Sequence, residues 1–196
     1  MAVAKTLGDL KQGLSRFTPT ANALDLSSAV NGLRHHRRDI KNIRRIDQAQ
    51  HSTRRFCEIY LSHHFTAGFS ELHHDIFTTI DTHTPSKRIA RIAPRQFGKT
   101  TIISLGLPLY MLAYRLKWFV LMIGESATTA EANLATLTQE IETNEQLIAD
   151  FPHLAPAMDI RGQSVKWTDR QLVIKSYATV MAKGMGARMR GLKYRE

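Results

Sequence analysis

One stretch, Ile92 to Thr101, limits what this chain can fold into more than any other, and it reads I-A-P-R-Q-F-G-K-T-T. A hydrophobic run typical of a β-strand, 88–93, precedes it, and an apolar run typical of a helix, 100–114, follows it. The G-K-T sequence at 98–100 therefore falls on a turn between a strand and a helix, where backbone N–H groups can face a ligand. The pattern predicts a Walker A phosphate-binding loop in an α/β fold.

The residue types of this turn suit a nucleotide. Gly98 lets the backbone approach phosphate oxygens, and the positive end of the following helix favours negative charge. Lys99 would reach the β- and γ-phosphates, and the Thr100 hydroxyl would hold Mg²⁺. The motif departs from G-x-x-x-x-G-K-[ST] at its first position, where this chain has Ala93. The alternative interpretation is an ordinary turn glycine followed by a solvated helix start.

Composition restricts the partners and the compartment. The single cysteine, Cys57, excludes an internal disulfide and fits a reducing compartment. The net charge of +10 suggests a polyanionic partner such as nucleic acid. The alternatives are that the basic charge lies on one solvated helix, or that a fragment has lost acidic sequence. The longest apolar run, 102–113, is too short for a bilayer span, so we expect a soluble protein with no membrane partner. The reducing compartment that Cys57 indicates makes the expected location intracellular.

The first 84 residues divide into two regions. Residues 1–32 are polar and interrupted by proline and serine, which predicts a flexible leader. Residues 33–84 predict a helical segment, with basic amphipathic helices over 33–64 and a short helix over 71–80. The basic residues of this segment include Arg37, Arg38, Lys41, Arg44, Arg45, Arg54 and Arg55. They would face DNA phosphates or form an ordinary charged outer surface.

Histidine pairs are frequent in this chain. Nine histidines occur, including the pairs at 35–36, 63–64 and 73–74. Adjacent histidines on one helix point apart, and no cysteine or second ligand pair stands at the spacing of a metal site. The sequence therefore predicts no zinc site.

The remainder of the chain predicts a second βα unit. The apolar run 118–123 is typical of a strand buried on both faces in a parallel sheet. The pair Thr128 and Glu131 has the spacing of a capping box, so a helix is expected from there to about Ile148. A β-hairpin is expected around the turn 168–170, and the glycine-rich basic segment 182–191 predicts a loop.

Together these pieces resemble the ATPase domain of the large terminase subunit, the DNA-packaging motor of tailed bacteriophages. The resemblance is carried by A-P-R-Q-F-G-K-T-T at 93–101, L-M-I-G-E-S-A-T-T-A-E at 121–131, M-R-G at 189–191 and F-S-E-L-H-H-D-I-F at 69–77. It covers about 54–196. It implies a P-loop NTPase of the additional-strand class, with an incomplete parallel sheet flanked by helices and a partial ATPase domain over 85–196.

The resemblance also implies roles for individual residues. Lys99 and Thr100 would bind the phosphates and the Mg²⁺ of ATP. Arg95 is similar to the family's Walker A arginine, and Arg190 is similar to the arginine that reaches the ATP of a neighbouring subunit, so both would be catalytic. The residues that would bind the cofactor are Ala93, Pro94, Arg95, Gln96, Phe97, Gly98, Lys99, Thr100, Thr101 and, in the adenine-pocket segment, His73.

The partners implied by the resemblance are double-stranded DNA, further copies in a ring, the small terminase subunit and the portal, in the cytoplasm of a bacterial host cell. The family's Walker B strand follows the M-R-G region, and no Asp-Asp or Asp-Glu pair follows an apolar run in these 196 residues. We therefore expect a truncated chain, inactive alone, whose strands 88–93 and 118–123 lack partners. The alternatives are another P-loop DNA motor such as a helicase, or an inactive basic DNA-binding prophage remnant.

Overall fold

The structure, a computed structural model, describes residues 42–82, 90 and 98–187. The predicted leader 1–32 and most of the strand 88–93 lie outside these residues. The described elements, in chain order, are helix α1 over 42–50, α2 (Thr53–Tyr60), α3 (Glu71–Asp81), α4 over 99–113, β1 (Phe119–Gly124), α5 (Ala127–Thr143), α6 (Glu145–Asp150), β2 (Gln171–Val173) and β3 (Thr179–Gly184). Short 3₁₀ turns occur at Ser62–His64 and Pro152–Leu154.

The helices that the sequence predicts in the first half are present. Apolar spacing places helices over 33–64, and α1 and α2 lie in the described part of that range. The helix predicted over 71–80 is α3, which ends one residue later. Ser70 precedes α3, and its backbone N–H donates to Nδ1 of His73 at 2.9 Å. His73 thus takes the place that Glu or Gln takes in a capping box.

The sheet has three strands in the order β1-β3-β2, and it is mixed. β1 pairs in parallel with β3, from Phe119 opposite Thr179 to Gly124 opposite Gly184. β2 pairs with β3 in the antiparallel direction. The fold class is therefore α/β, with a small mixed sheet flanked by helices, as far as the described residues extend.

Strand β3 corrects two expectations. The sequence predicts a loop over 182–191, but the first three of these residues belong to β3, in which Val180, Ala182 and Gly184 are buried. The run 118–123 is expected to lack partners, but β1 pairs with β3 along its whole length. The glycines of 182–191 favour a loop in the sequence pattern. Alternating burial of side chains along β3 stabilises the strand more than Gly184 at its end opposes it.

β1 confirms the strand predicted over 118–123 but not its burial on both faces. Met122 and Gly124 are buried, whereas the side chain of Ile123 is 52% exposed among the described residues. The predicted hairpin is confirmed in part: Trp167 bridges Leu172, and β2 then continues its pairing with β3.

Glycines let helix α5 begin directly on the sheet. A Cβ on Gly124 would lie 2.6 Å from the backbone nitrogen of Ala130, and a Cβ on Gly184 would lie 2.7 Å from that of Ala127. The N-cap is Ser126, whose Oγ accepts from the N–H of Thr129 at 3.1 Å. The prediction of Thr128 as the capping residue is therefore wrong, because Thr128 already lies inside α5.

The helix expected to continue to about Ile148 is interrupted. α5 ends at Thr143, and Asn144 begins α6 by accepting from the N–H of Leu147 at 3.1 Å. An asparagine side chain competes with the helical backbone for its hydrogen bonds, which favours a new cap over a continuous helix.

Helix α4 carries a π-helical turn, Thr101–Gly106, before the α-helical residues Leu107–Ala113. Pro108 follows this turn, and proline has no N–H to give to the carbonyl four residues earlier. The wider turn accommodates that loss. Gly106 brings α4 against α2, because a Cβ there would lie 2.5 Å from Sγ of Cys57.

Aromatic side chains fill the space between α1, α2 and α4. The hydroxyl of Tyr114 donates to the carbonyl of Ile46 at 2.7 Å, and that of Tyr110 donates to the carbonyl of Gln50 at 2.9 Å. Gln50 is the last residue of α1, and the last carbonyls of a helix have no partners within it, so Tyr110 caps α1 from outside. Tyr114 adds a hydrogen bond to a carbonyl one turn earlier. Among the described residues, every helix is too short or too polar to cross a membrane.

Candidate functional site

The structure describes part of the predicted nucleotide site. Gly98, Lys99, Thr100, Thr101 and His73 are among the described residues. The remaining predicted residues, Ala93, Pro94, Arg95, Gln96, Phe97 and Arg190, lie outside them. The described part of the site therefore consists of the end of the predicted loop, the first turn of α4 and the histidine of α3.

At Gly98 the chain turns straight into helix α4. Its φ is +63°, in the left-handed region that favours glycine, and its carbonyl accepts from the N–H of Ile102 at 3.1 Å. Lys99 is therefore the first residue with helical backbone, and Thr100 the second. This is the turn between loop and helix that a phosphate-binding backbone needs.

His73 lies against this turn. Its Nε2 is 3.4 Å from the position that a Cβ on Gly98 would occupy. Because Nδ1 accepts the N–H of Ser70, the proton of a neutral imidazole lies on Nε2, the nitrogen nearest Gly98. The structure thus brings together two predicted site residues that are 25 positions apart in the sequence.

Aromatic contacts hold this histidine in place. The ring of Phe69 meets that of His73 edge to face at a centroid distance of 5.8 Å, and meets that of Phe77 at 5.0 Å. Phe77 is buried in the core. The segment 65–70 before α3 is therefore anchored, since Phe65 and Phe69 pack against the core.

The two threonines after Lys99 border a polar cleft between α4 and α5. Thr100 is exposed and Thr101 is half-buried. Ser104, Asn133 and His64 also line the cleft. Its hydroxyl, amide and imidazole groups could hold water or a cation near the predicted phosphate site.

Several of the basic residues that could face DNA are engaged within the chain. Arg54 donates to Glu58 at 2.7 Å and also contacts Nδ1 of His74 at 3.0 Å. Arg55 donates to Glu58 at 2.9 Å. Arg45 donates from two nitrogens to Asp150. These contacts favour the interpretation of α1 and α2 as a charged structural surface rather than a DNA-facing one.

A second cluster, which we call the histidine cluster, consists of His63, His64 and Glu140. Nε2 of His63 lies 2.8 Å from Oε1 of Glu140, and Nε2 of His64 lies 2.9 Å from the same oxygen. The two rings lie 4.4 Å apart between centroids. Sequence reasoning missed this cluster, because it assumed that adjacent histidines point apart. That assumption was wrong for a pair on a 3₁₀ turn.

The environment of Glu140 favours its charged form. Burial by itself would raise the pKa of Glu140, but hydrogen bonds from Asn144, His63 and His64 together outweigh it and hold the pKa below its ordinary value. Nδ2 of Asn144 lies 2.9 Å from Oε2, so both carboxylate oxygens have donors. The doublet at 63–64 was the only signal in the sequence, since its carboxylate partner is 76 residues away.

No protein-family model, curated protein or solved structure matches this chain.

Proposed function

We propose that this chain is the nucleotide-binding half of a large terminase subunit, whose complete form couples ATP hydrolysis to the movement of viral DNA into a procapsid. The observation that carries the proposal is the motif A-P-R-Q-F-G-K-T-T together with the geometry at its end. Gly98 has a left-handed φ, and helix α4 begins at the next residue. A backbone that turns at glycine into a helix suits phosphate oxygens.

The order of the elements supports the same proposal. After α4 comes β1, and β1 pairs in parallel with β3 through a connection that includes α5. Parallel pairs joined by helices are the elements of nucleotide-binding α/β folds. Many α/β folds share them, so the motif carries the functional part of the argument.

In this proposal each residue has a chemical task. The ammonium group of Lys99 contacts the β- and γ-phosphates, and the Thr100 hydroxyl contacts Mg²⁺. His73 lies beside Gly98, where its Nε2–H can donate to the nucleotide. Arg95 acts on the phosphates of its own subunit, and Arg190 acts on the γ-phosphate of a neighbour in the ring.

DNA, the other copies of the ring, the small subunit and the portal are the proposed partners, and the host cytoplasm is the proposed compartment. The net charge of +10 favours binding to the phosphates of DNA, and such binding does not depend on base sequence.

The test is binding of Mg·ATP to the full chain, measured by calorimetry, in wild type and Lys99→Ala. We expect Lys99→Ala to weaken binding about tenfold or more, because a charged hydrogen bond to phosphate contributes about 1.5–3 kcal/mol. Lys117→Ala is the matched control, since Lys117 is exposed and lies beyond α4. Equal affinities in all three proteins would overturn the proposal.

A turnover assay on the same samples separates binding from catalysis. We expect ATP hydrolysis at background level, because no acidic pair follows an apolar run to hold the metal and position water. Hydrolysis well above background that Lys99→Ala abolishes would show that a carboxylate elsewhere in the chain performs this task.

A further inference from the structure

We propose that His63, His64 and Glu140 bind a divalent transition-metal ion of the zinc class, through two imidazole nitrogens and one carboxylate oxygen. The three ligand atoms lie within 4.8 Å of one another. Two histidines and one carboxylate form a ligand set that holds zinc in proteins. His64 also lines the cleft that Thr100 borders, but none of the three zinc ligands is among the residues proposed to bind the nucleotide. The proposal does not depend on a nucleotide.

The distances suit a zinc ion after a small adjustment. Zinc bonds of about 2.0–2.1 Å in a tetrahedral arrangement place ligand atoms about 3.3 Å apart. Nε2 of His63 and of His64 now lie 2.8 and 2.9 Å from Oε1 of Glu140. Each imidazole nitrogen would therefore move about half an ångström away from the carboxylate oxygen. The two imidazole nitrogens, which lie within 4.8 Å of each other, would settle about 3.3 Å apart by rotation of their side chains.

The fold brings the two imidazoles to the same side. His63 and His64 end the 3₁₀ turn Ser62–His64, which follows directly on α2. The N–H of His64 donates to the carbonyl of Leu61 at 2.9 Å, and Leu61 is fully buried. The turn is thus tied to the core, and the ring positions depend on two χ angles each.

Asn144 orients the carboxylate. Its Nδ2 donates to Oε2 of Glu140 at 2.9 Å and to the carbonyl of Tyr60 at 2.7 Å. Oε1 is left facing the two histidines. Outer residues that hold a ligand in this way typically change metal affinity when they are replaced, so Asn144 is a positioning residue of the site.

Solvent can reach the ion from one side. The side chain of His63 is 53% exposed, that of His64 is 28% exposed and that of Glu140 is 9% exposed. A polar groove, lined in part by Thr143, Glu145 and Gln146, continues from this open side. Three protein ligands with an accessible fourth position leave room for water or for a ligand that arrives through the groove.

Protons must be redistributed when the metal binds. Without metal, hydrogen bonds to the carboxylate require a proton on Nε2 of each imidazole. Zinc needs the lone pair of that nitrogen, so the proton leaves to solvent or the imidazole takes its Nδ1–H tautomer. The charge of Glu140 remains, and it offsets part of the charge of the ion.

The experiment is a zinc titration of the full chain after treatment with a chelator and its removal, with no nucleotide present. Competition against a chromophoric chelator measures the affinity for Zn²⁺. We expect His64→Ala and Glu140→Gln each to weaken binding about tenfold or more. Glu140→Gln keeps the shape and the hydrogen bond to Asn144, so loss of folding would not explain the result. Circular dichroism of each variant verifies this.

Two controls decide the outcome. His51→Ala removes an exposed histidine outside the cluster and is expected to leave zinc affinity unchanged. Lys99→Ala is expected to leave it unchanged as well, which separates this proposal from nucleotide binding. With Co²⁺ in place of zinc, wild type should show visible absorption of tetrahedral intensity that Glu140→Gln loses. Zinc affinity equal in wild type, His64→Ala and Glu140→Gln, or no binding in wild type, would overturn the proposal.

Discussion

Asp150 on α6 and Glu140 on α5 both accept hydrogen bonds from side chains in the segment 42–64. The two carboxylates nevertheless form different kinds of contact. Asp150 accepts from Nε and an Nη of Arg45 at 2.5 and 2.6 Å and from the hydroxyl of Tyr60 at 2.6 Å. Its side chain is fully buried. Glu140 accepts from His63 instead, whose ring is half exposed.

The difference lies in whether the donors can change. An arginine stays charged at any ordinary pH. Burial, followed by the hydrogen bond to Asp150, raises the pKa of Tyr60 above its ordinary value, so its hydroxyl stays a donor. The donors to Asp150 are therefore permanent. Two of the three donors to Glu140 are imidazoles, which can lose a proton or bind a metal, and the third is the amide of Asn144. One carboxylate serves stability, and the other is available for ligand chemistry.

The largest effect is expected at Asp150. Asp150→Ala removes the buried carboxylate that accepts from Arg45 and from the hydroxyl of Tyr60, which we expect to lower the free energy of unfolding by about 3 kcal/mol. Urea denaturation measures it. Glu131→Gln is the control, because Glu131 on α5 pairs with Arg170 at the surface and should give no measurable change. If Asp150→Ala lowered the free energy of unfolding no more than Glu131→Gln does, the contact at Asp150 would not stabilise the fold.

A smaller effect is expected at Asn144, which connects the two contacts. Asn144→Ala removes the cap of α6 and the donors to Glu140 and to the carbonyl of Tyr60, and should cost about 2 kcal/mol. Asn144→Asp keeps the cap but places a second carboxylate beside Glu140. Comparable denaturation midpoints for Asn144→Ala and wild type would show that Asn144 positions nothing.

The smallest effect concerns Glu140 itself and depends on pH. Its folded pKa lies below the unfolded value, so its contribution to stability is present above about pH 4.3 and is lost as the pH falls through the folded pKa. At neutral pH, with chelator present, we expect the free energy of unfolding of wild type to exceed that of Glu140→Gln by about 1 kcal/mol. This difference should shrink below about pH 4. Urea denaturation between about pH 3 and 7 measures it.

The histidine partners provide the control for this pH dependence. In a chain that carries both His63→Ala and His64→Ala, Glu140→Gln should change the free energy of unfolding less than it does in the otherwise wild-type chain. Two of the donors that lower the pKa of Glu140 are gone from that chain. A difference independent of pH in the otherwise wild-type chain would mean that Glu140 acts only through its shape.

Local signals explain which elements could be predicted. The apolar spacing over 71–80 and the run 118–123 correspond to α3 and β1 within one residue at each end. Both signals lie within a single element. The cap of α5 was misplaced by two residues because Ser126 and Thr128 are both plausible caps, and only the approach of Ala127 and Ala130 to two glycines decides between them.

By itself the sequence determined the α/β class, the helices that flank Gly98 and the histidine doublet at 63–64, since periodicity, glycine and residue type are properties of short segments. Only the tertiary structure decided that β3 lies between β1 and β2, that His73 touches Gly98 and that Glu140 meets both histidines of the doublet. Except for the pairing of β2 with β3, each of these contacts joins residues 25 or more positions apart. Packing of apolar surfaces, rather than local preference, sets which distant side chains meet.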